Sequence, residues 1–103
     1  MEYSIQKQEE EKTITVIFNG SLDSLSAPEI EDDVLAQMEE FDFEAIYLDC
    51  KDLDYIASSG LRLFFNVLKS GKAHGSRVVL KEPNDFLRKV LDATGLTAMF
   101  EFE

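Results

Sequence analysis

The sequence predicts an α/β domain built on a mixed sheet of four to five strands, with three to four helices packed against it. Three observations carry this expectation. Periodic segments alternate in the order β-β-α-β-α-β-α, with a last short strand or turn. Two β-α-β crossovers imply parallel pairing in part of the sheet, while the first two strands are close enough for a hairpin. The chain has 103 residues, 45% hydrophobic and 30% charged, which suits one domain over residues 1–103 able to bury a core without disulfides or metal. No internal repeat, linker or low-complexity block interrupts it.

The elements follow from spacing and punctuation. Residues 3–7 form a first strand, with Tyr3, Ile5 and Lys7 on one face. Residues 13–18 form a better one, in which Ile14, Val16 and Phe18 alternate with Thr13, Thr15 and Ile17, and Asn19-Gly20 supplies turn chemistry. A helix spans 27–40, with Ala27, Ile30, Val34, Leu35 and Met38 at helical spacing. Ser26 and Glu29 have capping-box spacing, and Pro28 is tolerated in a first turn. Residues 45–50 read as a mostly buried strand with Ile46, Leu48 and Cys50 on one face, and residues 51–55 as a connection.

A second helix covers 59–74, with Leu61, Phe64, Phe65 and Leu68 on one stripe, Leu63 and Val67 widening it, and Gly75, in preference to Gly71, as a left-handed stop. Val78 to Leu80 is a short apolar strand. The third helix, 84–93, turns Phe86, Leu87, Val90 and Leu91 inward. Either Asn84 caps it or Pro83 occupies its first position, and Gly95 ends it.

Charge narrows the function classes. Ten basic and 21 acidic side chains give a net charge of −11. Nucleic acid and anionic membrane surfaces repel such a chain, whereas a basic protein patch attracts it. No apolar run reaches the roughly 20 residues that cross a bilayer, so no membrane insertion is expected. Met1 is followed by a polar stretch with Glu9, Glu10 and Glu11, unlike a signal peptide. The single cysteine, Cys50, cannot form an internal disulfide, and a reducing cytoplasmic location is expected.

Little points to catalysis. The chain has no G-x-x-x-x-G-K loop, no G-x-G-x-x-G fingerprint and no G-x-S-x-G elbow. One histidine, His74, and one cysteine make neither a triad nor a recurring metal-ligand spacing. No enzyme, cofactor or metal is therefore expected. His74 reads as structural near a helix C-terminus, and Cys50 as a small buried hydrophobe.

Three segments stand out together: Phe18-Asn19-Gly20-Ser21-Leu22-Asp23, then Leu53-Asp54-Tyr55-Ile56-Ala57-Ser58-Ser59-Gly60-Leu61-Arg62, then Val90-Leu91-Asp92-Ala93-Thr94-Gly95-Leu96. In this order and spacing they resemble the STAS family, which includes bacterial anti-sigma factor antagonists, over nearly the whole chain. The resemblance implies a non-catalytic binding protein that captures a serine-kinase anti-sigma factor and so frees a sigma factor. It also implies phosphorylation at the second serine of the motif, Ser59, reversed by a serine phosphatase. The partner surface would comprise Asp23, Ser58, Ser59, Gly60 and Arg62. Antagonists of this kind commonly carry Asp before the serine pair, where this chain has Ala57. Relatives with changed motifs serve sensory or transport-associated complexes, so an interaction subunit that is never phosphorylated is the alternative.

Elementary physics suits a switch at Ser59. A helix start presents unpaired N–H groups and the positive end of the macrodipole, where a phosphate is favoured. Phosphorylation adds about −1.5 to −2 charges and three acceptor oxygens. Arg62 is a helical neighbour of Ser59, three residues on. It either meets an anion, phosphate or a partner carboxylate, or lies over apolar surface with its head in water. Ser58 or Ser59 could instead cap the helix; the readings coexist if Ser58 caps and Ser59 points outward. Asp23 reads as a turn or cap residue, or as part of the partner surface.

Overall fold

The computed structural model describes residues 1–40 and 42–103. In chain order it contains β1 (Glu2–Gln8), β2 (Thr13–Leu22), α1 (Ser26–Glu40), β3 (Ala45–Ile56), α2 (Ser58–Ala73), β4 (Arg77–Lys81), α3 (Asp85–Thr94), a 3-10 turn (Thr97–Met99) and β5 (Glu101–Phe102). The five strands form one sheet in the order β1-β2-β3-β4-β5. β1 and β2 make the expected antiparallel hairpin, and the remaining pairs are parallel.

Side-chain parity decides how the layers stack. Ile14, Val16 and Phe18 of β2, Ile46, Leu48 and Cys50 of β3, and Val78 and Leu80 of β4 are buried in one cluster. Ile30, Val34 and Met38 of α1, Leu63, Phe64, Val67 and Leu68 of α2, and Leu87 and Leu91 of α3 complete that cluster. Each such side chain contributes about 1.5–3 kcal/mol on burial. All three helices therefore cover the same face of the sheet. On the other face Thr13, Thr15, Ile17, Tyr47 and Asp49 stay only partly covered.

Several boundaries depart from expectation. Asn19-Gly20 does not end β2, which continues to the buried Leu22. Residues 51–55 are not a connection but the second half of β3. The reason is a change of register. Ile17 pairs with Asp49, but Asn19 pairs with Asp52, and Gly20 with Leu53 is followed by Ser21 with Tyr55. Each shift inserts one extra residue in β3, a bulge that flips which face the next side chain takes. Cys50, Leu53 and Ile56, spaced by three, thereby all remain buried.

The α1 cap also lies earlier than expected. The reciprocal pair is Asp23 with Ser26: the Ser26 N–H donates to Asp23 Oδ1 at 2.8 Å, and the Asp23 N–H donates to Ser26 Oγ at 3.1 Å. This satisfies two first-turn donors at once. Phe65 and Phe86, expected to face inward, are exposed. Gly75 and Gly95 take the left-handed φ of 75° expected of helix stops, and Asn84 caps α3 by accepting from the Leu87 N–H at 2.8 Å.

Candidate partner-binding surface

The motif segment sits where the two central parallel strands end together. Leu22 and Ile56 are register partners, and the Ala57 N–H donates to the Leu22 carbonyl at 2.9 Å. The chain then turns directly into α2. The N-cap is Ala57, with the extended backbone of a cap (φ −85°, ψ 172°) but no side chain to accept a hydrogen bond. Its carbonyl receives the N–H groups of Gly60 and Leu61 at 2.9 and 3.0 Å. The N–H groups of Ser58 and Ser59 have no acceptor among the described residues, and no carboxylate lies in the first turn to meet the helix dipole.

Because the helix starts at Ser58, the serines play roles other than those expected. Ser58 does not cap; it is the exposed first helical residue. Ser59 does not present its oxygen outward. The residue is partly exposed, but its Oγ is closed to solvent and has no hydrogen-bond partner. An unpaired buried hydroxyl costs about 1–3 kcal/mol. Rotation about Cα–Cβ to another staggered well would break no hydrogen bond.

Gly60 is buried, and it offers no contact surface. A Cβ there would lie 2.6 Å from Ile56 Cγ1 and 3.0 Å from Leu22 Cδ2. Its role is to let the first turn of α2 close onto the ends of β2 and β3. Arg62 is exposed and makes no ion pair or hydrogen bond among the described residues, despite 21 acidic side chains in the chain. Phe65 continues the outward face of α2, with the Lys69 ammonium 5.7 Å from its ring centroid.

Asp23 follows the end of β2. Its Oδ1 accepts from the Leu25 N–H at 3.0 Å, the Ser26 N–H at 2.8 Å and the Ser26 hydroxyl at 2.9 Å. These bonds to Ser26 hold its carboxyl below the usual carboxylate range. The turn they close leaves Leu25 88% exposed. The structure thus brings Asp23 and the Ser58–Arg62 turn to one end of the sheet.

Cys50 and His74 lie where the sequence reading puts them, in the core and at a helix C-terminus. Cys50 is fully buried, and burial pushes its thiol up to about 12. His74 is exposed, with Nδ1 2.8 Å from the Ser70 carbonyl. Among the described residues no cluster of three metal-ligating side chains occurs, and no helix is long and apolar enough to cross a membrane. Sequence reasoning missed Leu25, Tyr55 and Phe86 as surface residues. Periodicity assigned Phe86 to the core, and the bulges that expose Tyr55 leave no pattern in composition.

Comparison with known proteins agrees with this architecture. The chain is 28% identical over 96 residues to the anti-sigma-B factor antagonist of Staphylococcus aureus, covering 93% of this chain and 88% of that protein. The anti-sigma factor antagonist SpoIIAA in its unphosphorylated form superposes with a TM-score of 0.80 at 18% identity, covering 99% of this chain and 87% of that one. A part of the murine anion transporter Slc26a9 shares the fold as well, with a TM-score of 0.76 at 11% identity over 89% of this chain and 16% of the transporter. The STAS domain family matches residues 4–103, and the chain belongs to that family.

Proposed function

We propose that this protein is an anti-sigma factor antagonist. In this reading it captures a serine-kinase anti-sigma factor through the surface formed by Asp23, Ser58, Ser59 and Arg62, and so releases a sigma factor for transcription. Gly60 acts beneath that surface by seating α2. The kinase phosphorylates Ser59, the modified form releases its partner, and a serine phosphatase restores binding. It works in the cytoplasm as a binding protein without catalytic chemistry of its own.

The observation that carries the reading is the hydroxyl of Ser59, unpartnered at a helix start whose first two N–H groups are unpaired and where Arg62, three residues on, has no acidic partner among the described residues. Swung outward, that hydroxyl can accept a phosphoryl group. The product would be held by first-turn N–H groups and by the Arg62 guanidinium. The names of the similar relatives support the choice of partner class. The test is incubation with purified serine-kinase anti-sigma factors of the same cell, ATP and magnesium, followed by phosphopeptide mass spectrometry. Phosphate on Ser59, and loss of binding with it, is the expected result. A bound, active kinase that leaves Ser59 unmodified would overturn the phosphorylation.

Two observations favour a second reading, a STAS interaction subunit of a sensory or transport-associated complex that is never phosphorylated. Ala57 offers the N-cap no acceptor and the Ser59 oxygen is closed to solvent. Under that reading Ser59→Ala leaves partner binding unchanged, Ser59→Asp impairs it, and protein from its native cell carries no phosphate.

A further inference from the structure

We propose that the stacked rings of Tyr55 and Phe86 form the apolar anchor of a second contact with the partner protein, beside the Ser59 segment. The occupant this surface fits is a protein face with an apolar slot bordered by lysine and arginine. The inference rests on the reading of the chain as an anti-sigma factor antagonist and adds a contact which that reading does not contain.

Geometry sets this pair apart from scattered surface residues. Tyr55 is 49% exposed and Phe86 45% exposed, and their ring centroids lie 6.2 Å apart at an interplanar angle of 24°. Isolated exposed apolar side chains are ordinary on a soluble protein, but a joined pair presents a continuous apolar face. The backbone segments that carry the two rings are also tied together. Asn84 accepts the Leu87 N–H at 2.8 Å and donates to the Leu53 carbonyl at 2.9 Å. That one side chain ties the start of α3 to β3, two residues from each ring. Preorganised aromatic side chains are what binding hot spots are made of, because little conformational entropy is lost when they are covered.

Charge selects the occupant. Asp52, Asp54 and Asp85 are neighbours of the pair in sequence and are all exposed, against two exposed lysines, Lys51 and Lys89, the latter three residues after Phe86, so the flanks of the pair are acidic on balance. The ion pairs among the described residues, Lys7–Glu40 and Arg77–Glu101, lie elsewhere and neutralise none of these aspartates. An apolar centre flanked by more acidic than basic side chains complements an apolar slot with a basic rim. The same acidic excess, on a chain of net charge −11, opposes nucleic acid and anionic lipid. Tyr55 precedes Ser59 by four residues, so a partner seated on the serine turn is within reach of the rings.

The test measures binding of purified serine-kinase anti-sigma factors by calorimetry at two salt concentrations. Tyr55→Ser and Phe86→Ser are expected to weaken binding at least tenfold each, while Tyr55→Phe retains it. The double variant Asp54→Asn, Asp85→Asn, which leaves the rings untouched, is expected to weaken binding several-fold at low salt and to flatten its salt dependence. It also keeps the proposal falsifiable should a ring variant fail to fold. Wild-type binding that none of these folded variants alters overturns this inference and leaves the antagonist reading intact. A wild-type protein that binds none of the anti-sigma factors overturns that reading and, with it, the assignment of this partner.

Discussion

Two residues three positions apart, Ala57 and Gly60, govern how α2 begins. At Gly60 the space for a side chain is already taken by Ile56 and Leu22. Gly60→Ala forces the helix start away from the sheet and is expected to cost about 1–3 kcal/mol, read as a lower urea midpoint. Helix propensity alone would favour the alanine by about 1 kcal/mol, so the sign of the measured change decides whether packing or propensity dominates. At Ala57 the backbone is already in cap conformation and only the acceptor is missing. Ala57→Asp is expected to stabilise the protein by about 1 kcal/mol, again measured by urea unfolding. The serine motif was found in the sequence through its family resemblance, whereas the rotamer of Ser59 was not legible there. Which of two neighbouring serines faces water depends on where the helix starts, and a one-residue shift from 59 to 58 exchanged them.

Helix α3 shows how far an element can be read from its ends. Residue type alone offers Asn84 or Pro83 at the start and Gly95 at the stop, because capping chemistry is local, and the structure selects Asn84 as the cap. The second bond of Asn84, to Leu53, is tertiary and had no signature in the sequence. Asn84→Ala removes both, and is expected to cost about 1–2 kcal/mol while loosening the stack of Phe86 on Tyr55. Hydrogen exchange should show faster opening in the first turn of α3, with the α1 amides unaffected. The extended half of β3 was misread for a related reason. Strand recognition relies on a period of two, and two bulges in seven residues erase it. The first halves of β2 and β3, strand β4 and the apolar face of α1 were legible because no irregularity interrupts them.

Across the whole molecule, the hairpin of β1 and β2 is held to the helical layer partly by polar links. The Tyr3 hydroxyl donates to Asp33 Oδ2 at 2.7 Å, and the Lys7 ammonium lies 3.0 Å from Glu40. The Asp33 hydrogen bond raises the Tyr3 phenol from 10.0 to about 12. A raised phenol means the folded state holds its proton more tightly than the unfolded chain does. The stabilisation is complete below pH 10 and is lost as pH climbs through about 12. Thermal melts should show wild type losing its advantage over Tyr3→Phe across that window, with the difference between them constant at neutral pH.

The sealed position of Cys50 makes the protein its own stopwatch. It is the one sulfhydryl in the chain, and it lies at zero exposure in the middle of β3. Alkylating reagents act on the thiolate, so labelling must wait for the sheet to part. The modification rate in native buffer therefore times that parting directly. A partner clasping the ends of β2 and β3 should slow it in proportion to occupancy, without any probe being attached to the binding face.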